Sequence, residues 1–223
     1  MDSVLDLLLP QRCTVCSLPG SQLCGGCRSS LPRIQPPLCE RCGAPTAWPV
    51  ARCRECSGRR LAFATARAAV EYDAGVRRLV AAWKERGLRR LATTAAELVL
   101  DVVDRPEVAA LAFVPRDRDR TLKRGHHTAD ALARELAEAW QLRLLPALDR
   151  PRAAPRQRGL SRTERRRNLR GAFVARTEVP SRIALVDDVY TTGATVHFAA
   201  SALRKAGAGR VEVVTFARTI RIR

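Results

Sequence analysis

The chain has 223 residues, room for one domain of ordinary size plus a small module; 46% are apolar but only 4% aromatic, so Ala, Leu and Val must fill the core. Its 40 basic residues against 22 acidic ones give a net charge of +18, and the preference for Arg over Lys, with abundant Ala, points to a GC-rich genome. No apolar run approaches the roughly 20 residues of a membrane helix, and the apolar start at residues 4–9 lacks a basic flank and a cleavage site, so a soluble cytoplasmic protein without membrane insertion is expected.

The first 60 residues are expected to form a metal module. All eight cysteines lie there, as four CxxC pairs: Cys13/Cys16, Cys24/Cys27, Cys39/Cys42 and Cys53/Cys56. In a cytosolic chain such pairs read as zinc ligands, because a tight turn brings two thiolates onto one tetrahedral ion. Two four-cysteine sites use all eight, paired sequentially in the simplest arrangement, with a crossed pairing left open. A redox role would need one CxxC on a βαβ scaffold. Four thiolates leave no open coordination position, so the zinc is expected to be structural, and without it so short a segment should not fold. Trp48 belongs to this module.

Residues 61–223 show an α/β rhythm. A strand is expected at residues 68–72, helices at 75–85 and 88–103, a strand at 110–114 ending on Pro115-Arg116, a helix at 128–141, a short strand at 142–145 and a last strand at 211–216. Trp83 and Trp140 are expected on core-facing helix sides. The adjacent histidines His126 and His127 invite a metal reading, but neighbours in a turn point apart, and a helix-entry role fits better. Alternating strands and helices imply a parallel sheet with ligands at the strand C-terminal ends.

Charge concentrates late. Residues 1–60, 61–150 and 151–223 carry +4, +3 and +11, and residues 151–170 hold eight arginines against Glu164 alone. That Pro/Gly-marked stretch has no apolar stripe and reads as a surface loop, either a lid over a polyanionic substrate or a nucleic-acid contact through Arg156, Arg158, Arg162, Arg165 and Arg166.

Residues 183–196, IALVDDVYTTGATV, carry the most chemistry. A buried strand leads to Asp187 and Asp188, then to Thr191-Thr192-Gly193-Ala194-Thr195, then to a helical pattern containing His197, which is expected to pack. Free N–H groups and the dipole at the helix start attract an anion. Carboxylates cannot favour phosphate, so the aspartates suit vicinal hydroxyls, and phosphate plus diol describes a 5-phosphorylated ribose. No GxxxxGK[ST] loop occurs.

This run resembles the 5-phosphoribosyl-1-pyrophosphate (PRPP) motif of type I phosphoribosyltransferases. The resemblance implies that Asp187 and Asp188 hold the ribose hydroxyls and Thr191, Thr192, Gly193, Ala194 and Thr195 the 5′-phosphate. Thr191 stands where hypoxanthine-guanine transferases carry an acidic base, which argues against 6-oxopurine salvage of that type. The four CxxC pairs, Tyr72, Trp83-Lys84-Glu85-Arg86-Gly87, Val114-Pro115, Arg124-Gly125, Gln157, Leu160-Ser161, Glu164-Arg165-Arg166-Arg167-Asn168, Gly171-Ala172-Phe173 and the PRPP run together resemble the competence-related ComF family. One block departs: His126-His127-Thr128 replaces Phe-Asn-Gln. The resemblance implies a type I phosphoribosyltransferase-like parallel sheet flanked by helices, at residues 61–223, behind a double zinc ribbon at 1–60. It further implies PRPP bound with Mg2+, pentosyl transfer to an unidentified acceptor, and catalytic roles for Asp187, Asp188, Arg116 (at the pyrophosphate) and Lys84. A link to DNA uptake follows, with single-stranded DNA or a competence helicase as partners of a non-catalytic alternative.

Overall fold

The computed structural model describes residues 11–116, 127–151 and 171–220. In chain order these form α1 (Gly25–Ser30), β1 (Thr65–Glu71), α2 (Ala74–Glu85), α3 (Leu91–Leu100), β2 (Ala110–Phe113), α4 (Thr128–Trp140), β3 (Arg143–Leu144), β4 (Leu148–Asp149), β5 (Val174–Ala175), β6 (Arg182–Tyr190), α5 (Ala194–Lys205) and β7 (Arg210–Arg218).

Five strands make one parallel sheet in the order β1-β7-β6-β2-β3. Its middle strands, β6 and β7, are nine residues each and buried almost throughout, as expected where both faces are covered. The apolar run of β6 aligns Val186 with Phe113 of β2 on one side and with Val214 of β7 on the other.

Helices cover the two faces unequally. Trp83 and Leu79 of α2, Leu91 and Leu98 of α3, and Leu132 and Leu136 of α4 share one cluster with Val214 and Phe216. On the other face, Val196, Ala199 and Leu203 of α5 pack with Ile183 and Leu185, and this cluster includes Cys39, Cys42 and Cys56. The second ribbon is therefore part of the core. The antiparallel pair of β4 and β5 joins the same face through Leu148.

Local chemistry sets the element ends. Asp73 caps α2 by accepting from the Val76 N–H at 2.7 Å. Gln141 closes α4 in the left-handed region, at φ 52°. The helix expected at 88–103 is shorter, Leu91–Leu100, because Leu88 forms a turn in which its carbonyl accepts from Leu91 N–H at 3.1 Å. The strand expected at 68–72 starts earlier, at Thr65, where β7 supplies its ladder partner Glu212.

From β2 the chain runs through α4 outward to β3, and from β6 through α5 to β7 on the opposite side. The strand order thus reverses between the neighbours β2 and β6. Ligand crevices form at such a switch point, beyond the strand C-terminal ends. No described helix is long and apolar enough to cross a membrane.

Candidate functional site

Asp187 and Asp188 lie near the C-terminal end of β6, and each is only 9% exposed. Two helices converge on Asp188. Lys84, in the last turn of α2, places Nζ 2.7 Å from Asp188 Oδ1. Thr128, the first residue of α4, donates its hydroxyl to Asp188 Oδ2. Both carboxylate oxygens are therefore engaged, one by a cation and one by a hydroxyl, which holds Asp188 in one rotamer.

Asp187 has a different environment. Its Oδ1 accepts from the Asp188 N–H at 2.9 Å. Burial, then the neighbouring Asp188 charge, pushes its carboxyl up to about 7, against the lowering pull of Lys84 and Arg150. At neutral pH Asp187 is thus close to the midpoint of its titration.

His127, immediately before α4, does not cap it with its side chain. Its ring packs edge-on against Phe113, with centroids 5.5 Å apart. Burial, then the nearby Arg116 guanidinium, pushes the imidazole down to about 4, although Asp130 and Asp188 pull the other way. The ring is neutral and packed, not poised for a metal; His126 lies outside the described residues.

The Thr191–Thr195 loop follows Tyr190. Gly193 adopts φ 72°, and a Cβ there would meet Tyr190 Oη at 2.3 Å. Only glycine fits, because its backbone is left-handed and the tyrosine already fills the side-chain space. The Ala194 N–H donates to Thr192 Oγ1 at 3.3 Å. The Thr192 carbonyl accepts from Arg59 at 2.7 Å, and the Tyr190 carbonyl accepts from Thr219 N–H at 2.9 Å. The loop is thus held from outside, and it opens into the first turn of the 12-residue helix α5, whose leading N–H groups have no acceptors within the helix.

The cysteines resolve into two groups, Cys13/Cys16/Cys24/Cys27 and Cys39/Cys42/Cys53/Cys56, with the ligand atoms of each group within 4.8 Å of one another. The sequential pairing is the one observed. A zinc ion with Zn–S bonds of about 2.3 Å sets tetrahedral sulfurs about 3.8 Å apart. The sulfur separations match: Cys16–Cys24 3.7 Å, Cys39–Cys56 3.6 Å, Cys42–Cys53 3.4 Å and Cys53–Cys56 4.0 Å. Both are closed four-thiolate zinc-binding sites. Backbone N–H groups of Cys27 and Cys53 point at Cys24 and Cys39 sulfurs, which orients the ligands.

Of the sequence-expected residues, Lys84 pairs with Asp188 beside Asp187, Arg116 follows β2 and acts on His127, and Thr191–Thr195 join β6 to α5. The arginines Arg156, Arg158, Arg162, Arg165 and Arg166 lie outside the described residues. The residues that flank their segment are close together: Arg150 stacks over the Phe173 ring at 5.5 Å. Trp83 and Trp140 are buried as expected, Trp48 is 68% exposed, and His197 Nδ1 accepts from Ala62 N–H at 3.1 Å. Thr128, Arg59, Tyr190 and Arg218 are site residues that the sequence did not single out. Thr128 carried a signal as part of the block that departs from the resembled family, and Tyr190 as part of the 183–196 run; Arg59 and Arg218 carried none.

The double zinc ribbon domain family matches residues 4–57. Competence protein F of Haemophilus influenzae is 30% identical over 208 residues, covering 88% of this chain and 90% of that protein. DNA utilization protein YhgH of Salmonella typhi is 30% identical over 232 residues, covering 96% and 100%. Competence protein ComFC of Bacillus subtilis is 28% identical over 214 residues, covering 85% and 80%. Two solved structures align at 23% identity: an orotate phosphoribosyltransferase from Aeropyrum pernix (TM-score 0.36, covering 66% of this chain and 67% of that one) and the glutamine PRPP amidotransferase from B. subtilis (TM-score 0.38, covering 57% of this chain). The aligned part spans 25% of the amidotransferase.

Proposed function

Because the chain belongs to the competence protein F (ComF) family, we propose that it binds PRPP with Mg2+ and passes the 5-phosphoribosyl group to an acceptor. The observation that supports this reading most is the buried Asp187–Asp188 pair, beside the switch point and one short loop ahead of α5.

In this reading Asp188, held by Lys84 and Thr128, and Asp187 accept hydrogen bonds from the ribose 2′- and 3′-hydroxyls. The 5′-phosphate sits on the amides and hydroxyls of Thr191–Thr195. Arg116, at the end of β2, faces the pyrophosphate. The acceptor's lone pair forms the new bond to C1′ as the C1′–O bond breaks, the electron pair leaves on pyrophosphate, and the acceptor's proton passes to water. Positive charge developing at C1′ is met by the fixed Asp188 carboxylate. The oxygen donors of the crevice fit Mg2+, which would come with PRPP and offset the leaving-group charge. The zinc sites take no part in the chemistry, since each has all four positions filled by thiolates.

Thermal melting tests the proposal. At a PRPP concentration about 100 times Kd, with Mg2+, binding adds about 2.7 kcal/mol, an upward shift of roughly 5–10 °C for a chain of this size. Asp187→Asn with Asp188→Asn should abolish the shift. An unshifted parent protein sinks the proposal.

A second reading has its own support. The relatives are named for competence and DNA utilization, and residues 151–223 carry +11. In it the chain holds single-stranded DNA, or a competence helicase, without chemistry. Salt-dependent DNA binding that is lost on Arg→Gln substitution at Arg156, Arg158, Arg162, Arg165 and Arg166, with no response to PRPP, would favour it.

A further inference from the structure

The two zinc sites sit against different parts of the molecule. The first ribbon leans on α3: Arg28 of α1 pairs with Glu97 and, at 3.7 Å, with Asp101. The second ribbon lies beneath the anion loop, and three contacts connect them. Arg59, three residues past the ligand Cys56, donates to the Thr192 carbonyl at 2.7 Å. The Ala62 N–H donates to His197 in the first turns of α5. The third contact runs through Arg218, the last residue of β7 and the ladder partner of Tyr190.

Arg218 is 1% exposed. Its guanidinium donates to the Cys42 carbonyl, to Glu55 Oε2 at 2.9 Å and to Cys42 Sγ at 3.7 Å. The same guanidinium lies over the Tyr190 ring, 4.5 Å from its centroid, and Phe63 meets that ring edge-on at 6.3 Å. Tyr190 in turn occupies the space against Gly193, the residue that turns the loop into α5. A single buried cation therefore has one side on a zinc ligand and the other on the floor of the anion loop. A buried charge keeps its place only while its partners do. If zinc leaves the second site, Cys42 and Glu55 lose their fixed positions, and Arg218 must move out from under Tyr190.

We infer that Arg218 and Arg59 are positioning residues for the anion loop, and that through them the loop's affinity for its anion depends on the second zinc site rather than the first. This rests on the PRPP reading only for the identity of the anion. Coupling is reciprocal: whatever factor zinc contributes to anion affinity, the anion must return to zinc retention.

The experiment uses the full chain with two zinc ions bound, and compares the parent with Arg59→Ala, Arg218→Lys and the control Arg28→Ala, which loosens the first ribbon instead. Three readouts are taken: PRPP–Mg2+ affinity, chelator-driven zinc release, and amide exchange of residues 190–194. Arg59 is partly exposed, so its variant carries little folding risk. Arg59→Ala and Arg218→Lys should weaken PRPP binding by about fivefold or more while retaining two zinc ions and exchanging faster at 190–194. Arg28→Ala should match the parent in PRPP affinity and in exchange at 190–194, and speed zinc release only from the first site. PRPP should slow the release of one of the two zinc ions in the parent, and less so in Arg218→Lys. If the parent ignores PRPP, the phosphoribosyl reading fails, and amide exchange alone decides the coupling. Exchange at 190–194 unchanged in both arginine variants overturns the inference, as does an equal effect of Arg28→Ala.

Discussion

Asp187 and Asp188 are neighbours in sequence with opposite electrostatic circumstances. Asp188 is engaged on both oxygens, by Lys84 and Thr128, whereas Asp187 keeps its proton up to about pH 7. Because the Asp187 pKa is raised on folding, its contribution to stability is complete below about pH 4 and is lost as the pH rises through 7. His127 works in the other sense: its pKa falls to about 4, so its contribution is complete above pH 6.5 and is lost as the pH drops through 4. The two slopes oppose each other between about pH 4 and 6.5. Asp187→Asn removes one of them. The variant's stability should therefore climb with pH across that window by up to about 1.4 kcal/mol per unit relative to the parent, and exceed the parent's at pH 8. Denaturant titrations at several pH values check this, and curves that run parallel to the parent's contradict it.

At the scale of elements, the strand–loop–helix unit of β6 and α5 was legible because its signals are strong: a continuous apolar run, then Gly193 at the turn. A glycine there is required twice over, by φ 72° and by Tyr190 Oη at 2.3 Å from any Cβ. Gly193→Ala should cost about 2–4 kcal/mol in a denaturant titration, combining left-handed strain with overpacking. A cost below about 1 kcal/mol would show that Tyr190 yields freely. The pairing of β4 with β5 was not legible, since two-residue strands carry no period. Residues 88–90 and 101–103 read as helix from their apolar spacing, yet they form turns, because helix ends are set by hydrogen bonds that spacing does not encode.

Across the whole molecule, the cysteine spacing announced two zinc sites but not where the module packs. The second ribbon's ligands lie in the same buried cluster as α5 and β6, and the residues that join it to the loop, Arg59 and Arg218, are two among 40 basic side chains. Nothing local distinguishes them, since their meaning arises only when β7 ends beside Cys42. Thr128 stood out as part of a departing block, but its partner did not, because Asp188 lies 60 residues away. The aspartates and the loop could be read from sequence because their chemistry is contiguous. The groups that hold them in place could not, because they come from four other parts of the chain. In the proposed function, a ribose diol at the aspartates and a phosphate at the loop make a single PRPP site. Calorimetric titration of PRPP with Mg2+ into the zinc-loaded chain tests it most directly. The parent should show one site per chain, and Asp187→Asn with Asp188→Asn at least about tenfold weaker binding, a loss of about 1.4 kcal/mol. Absence of binding in the parent, or equal affinity in the variant, would contradict it.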